Sequence, residues 1–374
     1  MKATALLSLT LMSFLLCACG PEGIRSISLD REVADLPLGG SFVLNAEVSP
    51  ASAVASLVWT SDCESVALVS DGLVKAVGEG CANIVASGAD GSCRKICRVN
   101  VSRIYGIGSF TADSDGLVLS LASGNLQADI ETVEPSFSAV WRFAAHQYDY
   151  LGEDSCNLLP SPGRSADLYG WPAVGSEAVK TYGVGRTDDY AHYGSSDGDL
   201  LCGWGNIDGI LSSTGETSYP AGTWSTPHWR EWTYMLMKRN ASTINGVEHA
   251  RFAAATVSGI NGMLVFPDVI SWPVNIRLPE GINDWEKFEY EANTYGLADF
   301  AELETLGCAF LPAAGDIYSE LSTHYGEWGA YWSSDAVDGP ERARCVSFDL
   351  DSMCPYSSDV RNSCNAVRLA REFH

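Results

Sequence analysis

Apolar and polar residues alternate in short runs through residues 24–101, and this pattern predicts β-strands. Over 42–48 every second residue is apolar, so these side chains would share one face of a strand. Similar runs follow at 57–59 and 82–86. Asp71-Gly72 lies between two apolar pairs and predicts a tight hairpin turn. About seven short strands in so short a segment are typical of a β-sandwich.

The rest of the chain is predicted to be mostly strand and loop, with three helices. Thr226 is expected to cap the first helix, with Pro227 in its first turn. Asn283 is expected to cap the second, and the third is expected to run from Asp299 to a stop at Gly307. The apolar stripes of the first two helices are Trp229, Trp232, Leu236 and Met237, and Trp285, Phe288, Ala292 and Tyr295.

The beginning of the chain is predicted to be an export signal with a lipid anchor. The apolar run at 3–16 follows a lysine and is too short to span a bilayer. It ends in Leu16-Cys17-Ala18-Cys19-Gly20, which resembles the lipobox of bacterial lipoproteins. The resemblance implies that Cys19 becomes the mature N-terminus and is acylated, for example with palmitate; the alternative is an ordinary signal peptide with an incidental Cys19. The expected segments are a signal peptide at 1–18 and a lipid-anchored tether at 19–23 of an outer-membrane protein at the cell surface.

The whole chain is acidic and rich in aromatic side chains. Its 374 residues include 47 Asp and Glu against 23 Lys and Arg, a net charge of −24. Such a chain repels phosphate backbones, so no nucleic-acid partner is expected. A hydrophobic content of 46% excludes bulk disorder. The 36 glycines and 10% aromatic residues favour a β-rich fold with many turns.

The cysteines predict no metal site. If Cys17 is removed with the signal and Cys19 carries lipid, ten of the 12 cysteines remain, an even number. Disulfides can persist in an exported protein, but their pairing cannot be read from the sequence. There is no CxxC pair, and no histidine pair accompanies Cys93 and Cys97, so a structural zinc site is not expected. No other metal or cofactor is predicted.

Three phrases in the first segment resemble the bacterial Ig-like group 2 domain. They are LVWTS at 57–61, SVALVSDGLV at 65–74 and GEGCANIVA at 78–86. The resemblance implies a passive spacer of the kind found in adhesins and surface proteins, with Trp59 as a core residue.

Other phrases, in order along residues 102–374, resemble the FISUMP-type, C-type-lectin-like domain of bacterial surface lipoproteins. They are WRFAAHQYDYLG at 141–152, DLYGW at 167–171, WREW at 229–232, FLPAAG at 310–315, YWSS at 331–334 and NAVRL at 365–369. The resemblance implies a ligand-recognition domain. The predicted fold class is therefore mainly β with some α: an Ig-like β-sandwich at 24–101, then a C-type-lectin-like α+β domain at 102–374.

Residues 331–371 are predicted to display a binding surface. Trp332, Ala343, Val346, Phe348, Val367 and Leu369 are expected to face the core. A period of two would place the polar residues between them on the outward face, where mixed Tyr, Ser, Asp and Arg are typical of a paratope. The candidate ligand-binding residues are Trp332, Glu341, Arg344, Ser347, Asp349, Asp351, Tyr356, Ser358, Asp359, Arg361 and Ser363. This frame also resembles retroelement-diversified lectin-like proteins, which implies a diversified patch; the alternative is ordinary solvated strand surface.

The sequence favours binding over catalysis. It contains no HExxH or GxxxxGK[ST] motif, and its six histidines are scattered. We therefore predict no catalytic residues and a cell-envelope lipoprotein that binds an extracellular glycan or protein; an adhesin is one form of this function. One alternative is a structural envelope or fimbrial accessory protein without a small ligand. Another is an enzyme, which rests only on the abundance of carboxylates.

Overall fold

The computed structural model describes residues 24–37, 41–91, 93–102, 106–133, 136–171, 204–317, 324–337, 341–361 and 363–372. The chain divides into two compact units, Met1–Arg103 and Ile104–His374. The predicted signal peptide, Cys19 and the tether lie outside the described residues. Across the described part of the chain, no helix is long and apolar enough to cross a bilayer.

Among its described residues, the first unit consists of strands apart from a 3-10 turn at Ala51–Ser56. Its strands are β1 (Ser26–Leu29), β2 (Val33–Pro37), β3 (Ser41–Val43), β4 (Ala46–Ser49), β5 (Leu57–Ser61), β6 (Ala67–Ser70), β7 (Leu73–Ala76), β8 (Gly80–Gly88) and β9 (Arg94–Ser102). They form sheets in the orders β2-β9-β8-β5, β3-β7-β6 and β1-β4. Alternate side chains of β8, such as Ile84, are buried against Val99 and Leu44, as the period of two predicts.

Two local predictions for this unit have different outcomes. Asp71 and Gly72 both have positive φ and join β6 to β7, so the predicted hairpin turn is confirmed. The single strand predicted over 42–48 is wrong, because β3 and β4 lie in different sheets. The chain breaks at Asn45, whose backbone and side-chain N–H groups both donate to the carboxylate of Asp30, at 3.1 and 3.0 Å.

The second unit contains fifteen strands and two α-helices among its described residues. The strands are β10 (Ile107–Thr111), β11 (Val118–Leu121), β12 (Leu126–Thr132), β13 (Ser138–Phe143), β14 (Ser165–Ala166), β15 (Ile210–Leu211), β16 (Ser218–Tyr219), β17 (Phe252–Val257), β18 (Ile260–Val265), β19 (Thr294–Tyr295), β20 (Ala309–Pro312), β21 (Gly329–Ala336), β22 (Arg342–Phe348), β23 (Met353–Val360) and β24 (Ala370–Glu372). The helices are α1 (Trp229–Met237) and α2 (Leu297–Thr305). The predicted class, mainly β with some α, is confirmed.

Four sheets organise this unit. Their strand orders are β10-β11-β24, β14-β12-β13-β15-β16, β19-β17-β18-β20 and β21-β22-β23. The last strand, β24, pairs antiparallel with the early strand β11, with Leu121 opposite Ala370. The two ends of the unit are thus held side by side by backbone hydrogen bonds.

The helix predictions need correction at their starts. α1 begins at Trp229, later than a Thr226 cap implies, because the carboxylates of Asp335 and Glu231 accept the N–H groups of Trp229 and His228, at 2.7 and 2.8 Å. The buried hydroxyl of Thr226 has no hydrogen-bond partner among the described residues.

The predicted second helix does not form, whereas the third does. Asn283 adopts a φ of 60° and bonds the backbone of another segment, accepting from the N–H of Arg251 and donating to the carbonyl of His249. The chain then makes turns, a 3-10 turn at Tyr290–Ala292 and β19. α2 begins two residues before Asp299, and Gly307 follows it with a φ of 93°.

The β21-β22-β23 sheet lies between two hydrophobic cores. Tyr331, Val346, Phe348 and Met353 pack into one core with α1. Trp332, Ala343 and Cys345 pack into the other with Trp141 and Trp171. β22 is therefore covered on both faces over most of its length. The expectation that one face of this strand is displayed is wrong at Cys345 and Ser347, which are 3% and 5% exposed.

Candidate ligand-binding surface

The structure distributes the eleven candidate residues over three environments. Trp332, Ser347, Arg361 and Ser363 are buried; Asp349 and Asp351 line an acidic cavity; and Glu341, Arg344, Tyr356, Ser358 and Asp359 are exposed or partly exposed around β22 and β23. The six landmark residues predicted to face the core, from Trp332 to Leu369, are all buried.

The four buried candidates are enclosed within the fold and cannot contact a ligand. Trp332 donates its indole N–H to the carbonyl of Tyr169 at 2.6 Å. The guanidinium of Arg361 lies 4.7 Å from the ring centroid of Trp171 and donates to the carbonyl of Arg342. The expected outward display of Ser347, Arg361 and Ser363 is therefore wrong, and Trp332, which faces the core as predicted, is wrong as a ligand-binding candidate. Their polar atoms satisfy internal contacts or lie against the core, which a period of two along one strand cannot reveal.

The acidic cavity has a volume of about 400 Å³ and opens beside the end of β22. Its lining includes Asp316, whose carboxylate lies 2.7 Å from Nδ1 of His324. Burial raises the pKa of Asp316. Asp349 accepts the backbone N–H groups of Asp351 and Ser352, at 2.8 Å each, so its carboxylate holds a local turn. Within the described residues, no group of His, Cys, Asp and Glu side chains is arranged to hold a metal ion.

The exposed candidate residues lie near the start of α1, and do not line the acidic cavity. The guanidiniums of Arg230 and Arg344 lie 5.6 and 5.3 Å from the ring centroid of the half-buried Trp229. Tyr356, at 48% exposed, is on the neighbouring strand. We call Trp229, Arg230, Arg342, Arg344 and Tyr356 the arginine–tryptophan surface.

Strand pairing fixes this surface. Arg344 is directly opposite Ser358 in the register of β22 and β23, so the two side chains share a face. Arg344 also donates to the carbonyl of Tyr356 at 3.3 Å, and Arg342 donates from Nε to the hydroxyl of Ser358 at 3.1 Å. The hydroxyl of Thr233 in α1 bonds the carbonyl of Pro355 at 3.4 Å, which ties the helix to β23.

A groove of about 610 Å³ borders the arginine–tryptophan surface. It runs between the first turn of α1 and residues 112–114. The carboxylates in it already have partners: Asp335 binds the helix N-terminus and lies 3.1 Å from Nδ1 of His228. This hydrogen bond raises the pKa of His228, and burial raises the pKa of Glu231.

The arginines of the surface lack such partners. Among the described residues, Arg230, Arg342 and Arg344 form no ion pair with a carboxylate; their contacts are with aromatic rings, hydroxyls and backbone carbonyls. A guanidinium in this state can still donate two parallel hydrogen bonds to an anion. The geometry therefore offers cationic donors next to an exposed aromatic ring.

Sequence reasoning missed Trp229, Arg230 and Arg342 as parts of this surface. Trp229 falls on the apolar stripe of α1, which predicts a core position, and Trp232 and Leu236 of the same stripe are buried as expected. Trp229 is the first residue of the helix and lies at the rim of the core. The only sequence signal for a surface position is the charged Arg230 next to Trp229. Arg344, which also contacts Trp229, lies far along the chain, so the sequence does not show that contact.

Comparison with known proteins identifies the first unit. Residues 24–99 match the bacterial Ig-like domain (group 2) family, so this unit contains an Ig-like domain. A crystal structure of the S-layer protein rSbsC(31-844) is similar to part of the chain, with 16% sequence identity, a TM-score of 0.19, and 32% of this chain covered. The similarity spans only 21% of the S-layer chain. A comparison with curated protein sequences gave no match.

Proposed function

We propose that the protein is a lipid-anchored protein of the bacterial outer membrane that binds an extracellular ligand through its second unit. In this proposal Cys19 carries the lipid, the Ig-like domain is a spacer, and residues 102–374 are a C-type-lectin-like recognition domain that acts by binding and not by catalysis. An adhesin for a host glycan or protein is one form of this function, and a diversified surface is a further possibility within it.

The observation that carries the proposal is the arginine–tryptophan surface. It combines an exposed tyrosine, a half-buried tryptophan and three arginines on elements that are fixed by strand pairing and by the packing of α1. Tyrosine, tryptophan and arginine are the side chains that dominate binding energy in protein recognition surfaces. A rigid support for such residues lowers the entropy lost on binding.

Glycan and protein arrays test the proposal. The soluble chain from Gly20 onward, with both units intact, is applied to arrays of glycans and of extracellular proteins. We expect binding in the micromolar range that the substitution Tyr356→Ala weakens. An absence of ligands at high micromolar concentration would contradict the proposal, and co-purification with one stoichiometric envelope protein would favour a structural role instead.

A further inference from the structure

We propose that the ligand is an acidic polysaccharide whose sugars carry carboxylates; this inference rests on the proposed function. Arg230 and Arg344 bind the carboxylate, and Tyr356 contacts the flat apolar face of the sugar ring. Trp229 is a positioning residue, since its ring orients the two guanidiniums.

The charge distribution is the first argument. The chain has 47 acidic residues against 23 basic ones, so an exposed arginine has many carboxylates available to it. Two other arginines do find one: the exposed Arg277 pairs with Glu280 at 2.7 Å, and the partly buried Arg142 pairs with Asp129 at 2.8 Å. In the described part of the chain, the arginines of the surface have no such partner. An external anion would supply it.

The second argument is the position of two cations at one aromatic ring. The guanidiniums of Arg230 and Arg344 both lie within 6 Å of the centroid of one ring, at 5.6 and 5.3 Å. A ligand carboxylate that contacts both guanidiniums accepts charge-assisted hydrogen bonds from both.

The third argument concerns the ring and the hydroxyl beside it. Ser358 shares a face with Arg344, and Tyr356 is two residues away on the same edge strand. An exposed aromatic ring next to hydroxyl and carbonyl groups suits a sugar, which has an apolar face and a hydroxyl rim. A polymer with one carboxylate per sugar presents both a planar anion for the arginines and an apolar ring face for the tyrosine.

Three probes of matched size test this inference by calorimetry: trigalacturonic acid, the neutral galactose trisaccharide and a triglutamate peptide. We expect the soluble two-unit chain to bind the acidic trisaccharide at least tenfold more tightly than either of the other probes. Arg344→Gln and Arg230→Gln should each weaken this binding by about tenfold or more, since each removes a charge-assisted hydrogen bond. Arg277→Gln, the matched control with the same charge change outside the surface, should leave it unchanged.

Two further variants separate positioning from folding. Trp229→Phe keeps an aromatic ring and should retain most of the affinity, whereas Trp229→Leu should lose it at an unchanged midpoint of thermal unfolding. Equal affinity for the acidic and neutral sugars would overturn this inference and leave the proposed function standing. Equal affinity for triglutamate would also overturn it, in favour of a peptide ligand. Failure to bind these probes or any array ligand would overturn both proposals.

Discussion

Buried polar side chains connect separate segments of the second unit by hydrogen bonds. Arg368 is fully buried and donates to the carbonyls of Ala122 and Phe310 and to the side-chain oxygen of Asn125, at 3.0 to 3.2 Å. Burial lowers its pKa to about 10. These contacts join three separate segments through one side chain, so Arg368 belongs to the fold and not to the ligand surface.

Asp167 is a buried carboxyl whose titration should be visible in the stability of the protein. Its oxygens accept from the side chain of Asn157 at 3.0 Å and from the N–H of Leu151 at 2.6 Å. Burial nevertheless raises its pKa from 3.8 to about 6. The folded state therefore favours the protonated form, so the stabilising contribution is complete below about pH 4 and is lost as the pH rises through about 6.

This prediction is tested with Asp167→Asn, which cannot titrate. The difference in unfolding free energy between the wild type and the variant should fall by up to about 3 kcal/mol between pH 4 and pH 7, as measured by denaturant unfolding at each pH. Asp115→Asn, at an exposed position, is the control for the same charge change. A constant difference across this range would contradict the burial argument for Asp167.

At the scale of elements, α1 has two roles, and a different tryptophan serves each of them. Trp232 is 1% exposed and packs with Met235, Leu236 and Val346 in the core below the β21-β22-β23 sheet. Trp229, three residues earlier, supports Arg230 and Arg344 at the rim. One helix thus connects the core to the proposed ligand surface.

The substitutions Trp232→Ala and Trp229→Ala should therefore affect different measurements. Trp232→Ala leaves a large cavity and should lower the unfolding free energy by about 3–5 kcal/mol. Trp229→Ala should lower it much less and should instead weaken ligand binding. Denaturant unfolding and a binding titration on both variants check this division. Equal loss of stability in the two variants would show that Trp229 is a core residue.

At the scale of the whole molecule, the proposed anchor and the proposed ligand surface belong to different units. Among the described residues, two hydrophobic cores are formed by the first unit and three by the second. Changes at the beginning of the chain should therefore alter the location of the protein without altering the arginine–tryptophan surface.

The anchor is tested with Cys19→Ser in a lipoprotein-processing bacterium. The variant should lose incorporation of a labelled fatty acid and leave the membrane fraction, because stable attachment needs more than one buried acyl chain and Cys19 would carry them. Cys17→Ser is the matched control and should still be labelled. Retention of the label in Cys19→Ser would show that another residue carries the lipid or that labelling is unspecific.

The sequence by itself determined the features that depend on neighbouring residues. The Asp71-Gly72 hairpin needs only two residues that tolerate positive φ, and the buried side chains of β8 follow from its own alternation. The Ig-like domain is recognisable because its turns and strands repeat such local signals. The mainly β class of the second unit follows from the same signals.

Only the tertiary structure decided which polar residues are accessible. β22 alternates polar and apolar residues like a half-exposed strand, but Trp332, Trp141 and Trp171 arrive from other segments and cover its second face. The same packing brings Arg344 to Trp229. The alternation of residues along a strand shows that its two faces differ. It does not show what packs against either face, because that depends on segments far away in the chain.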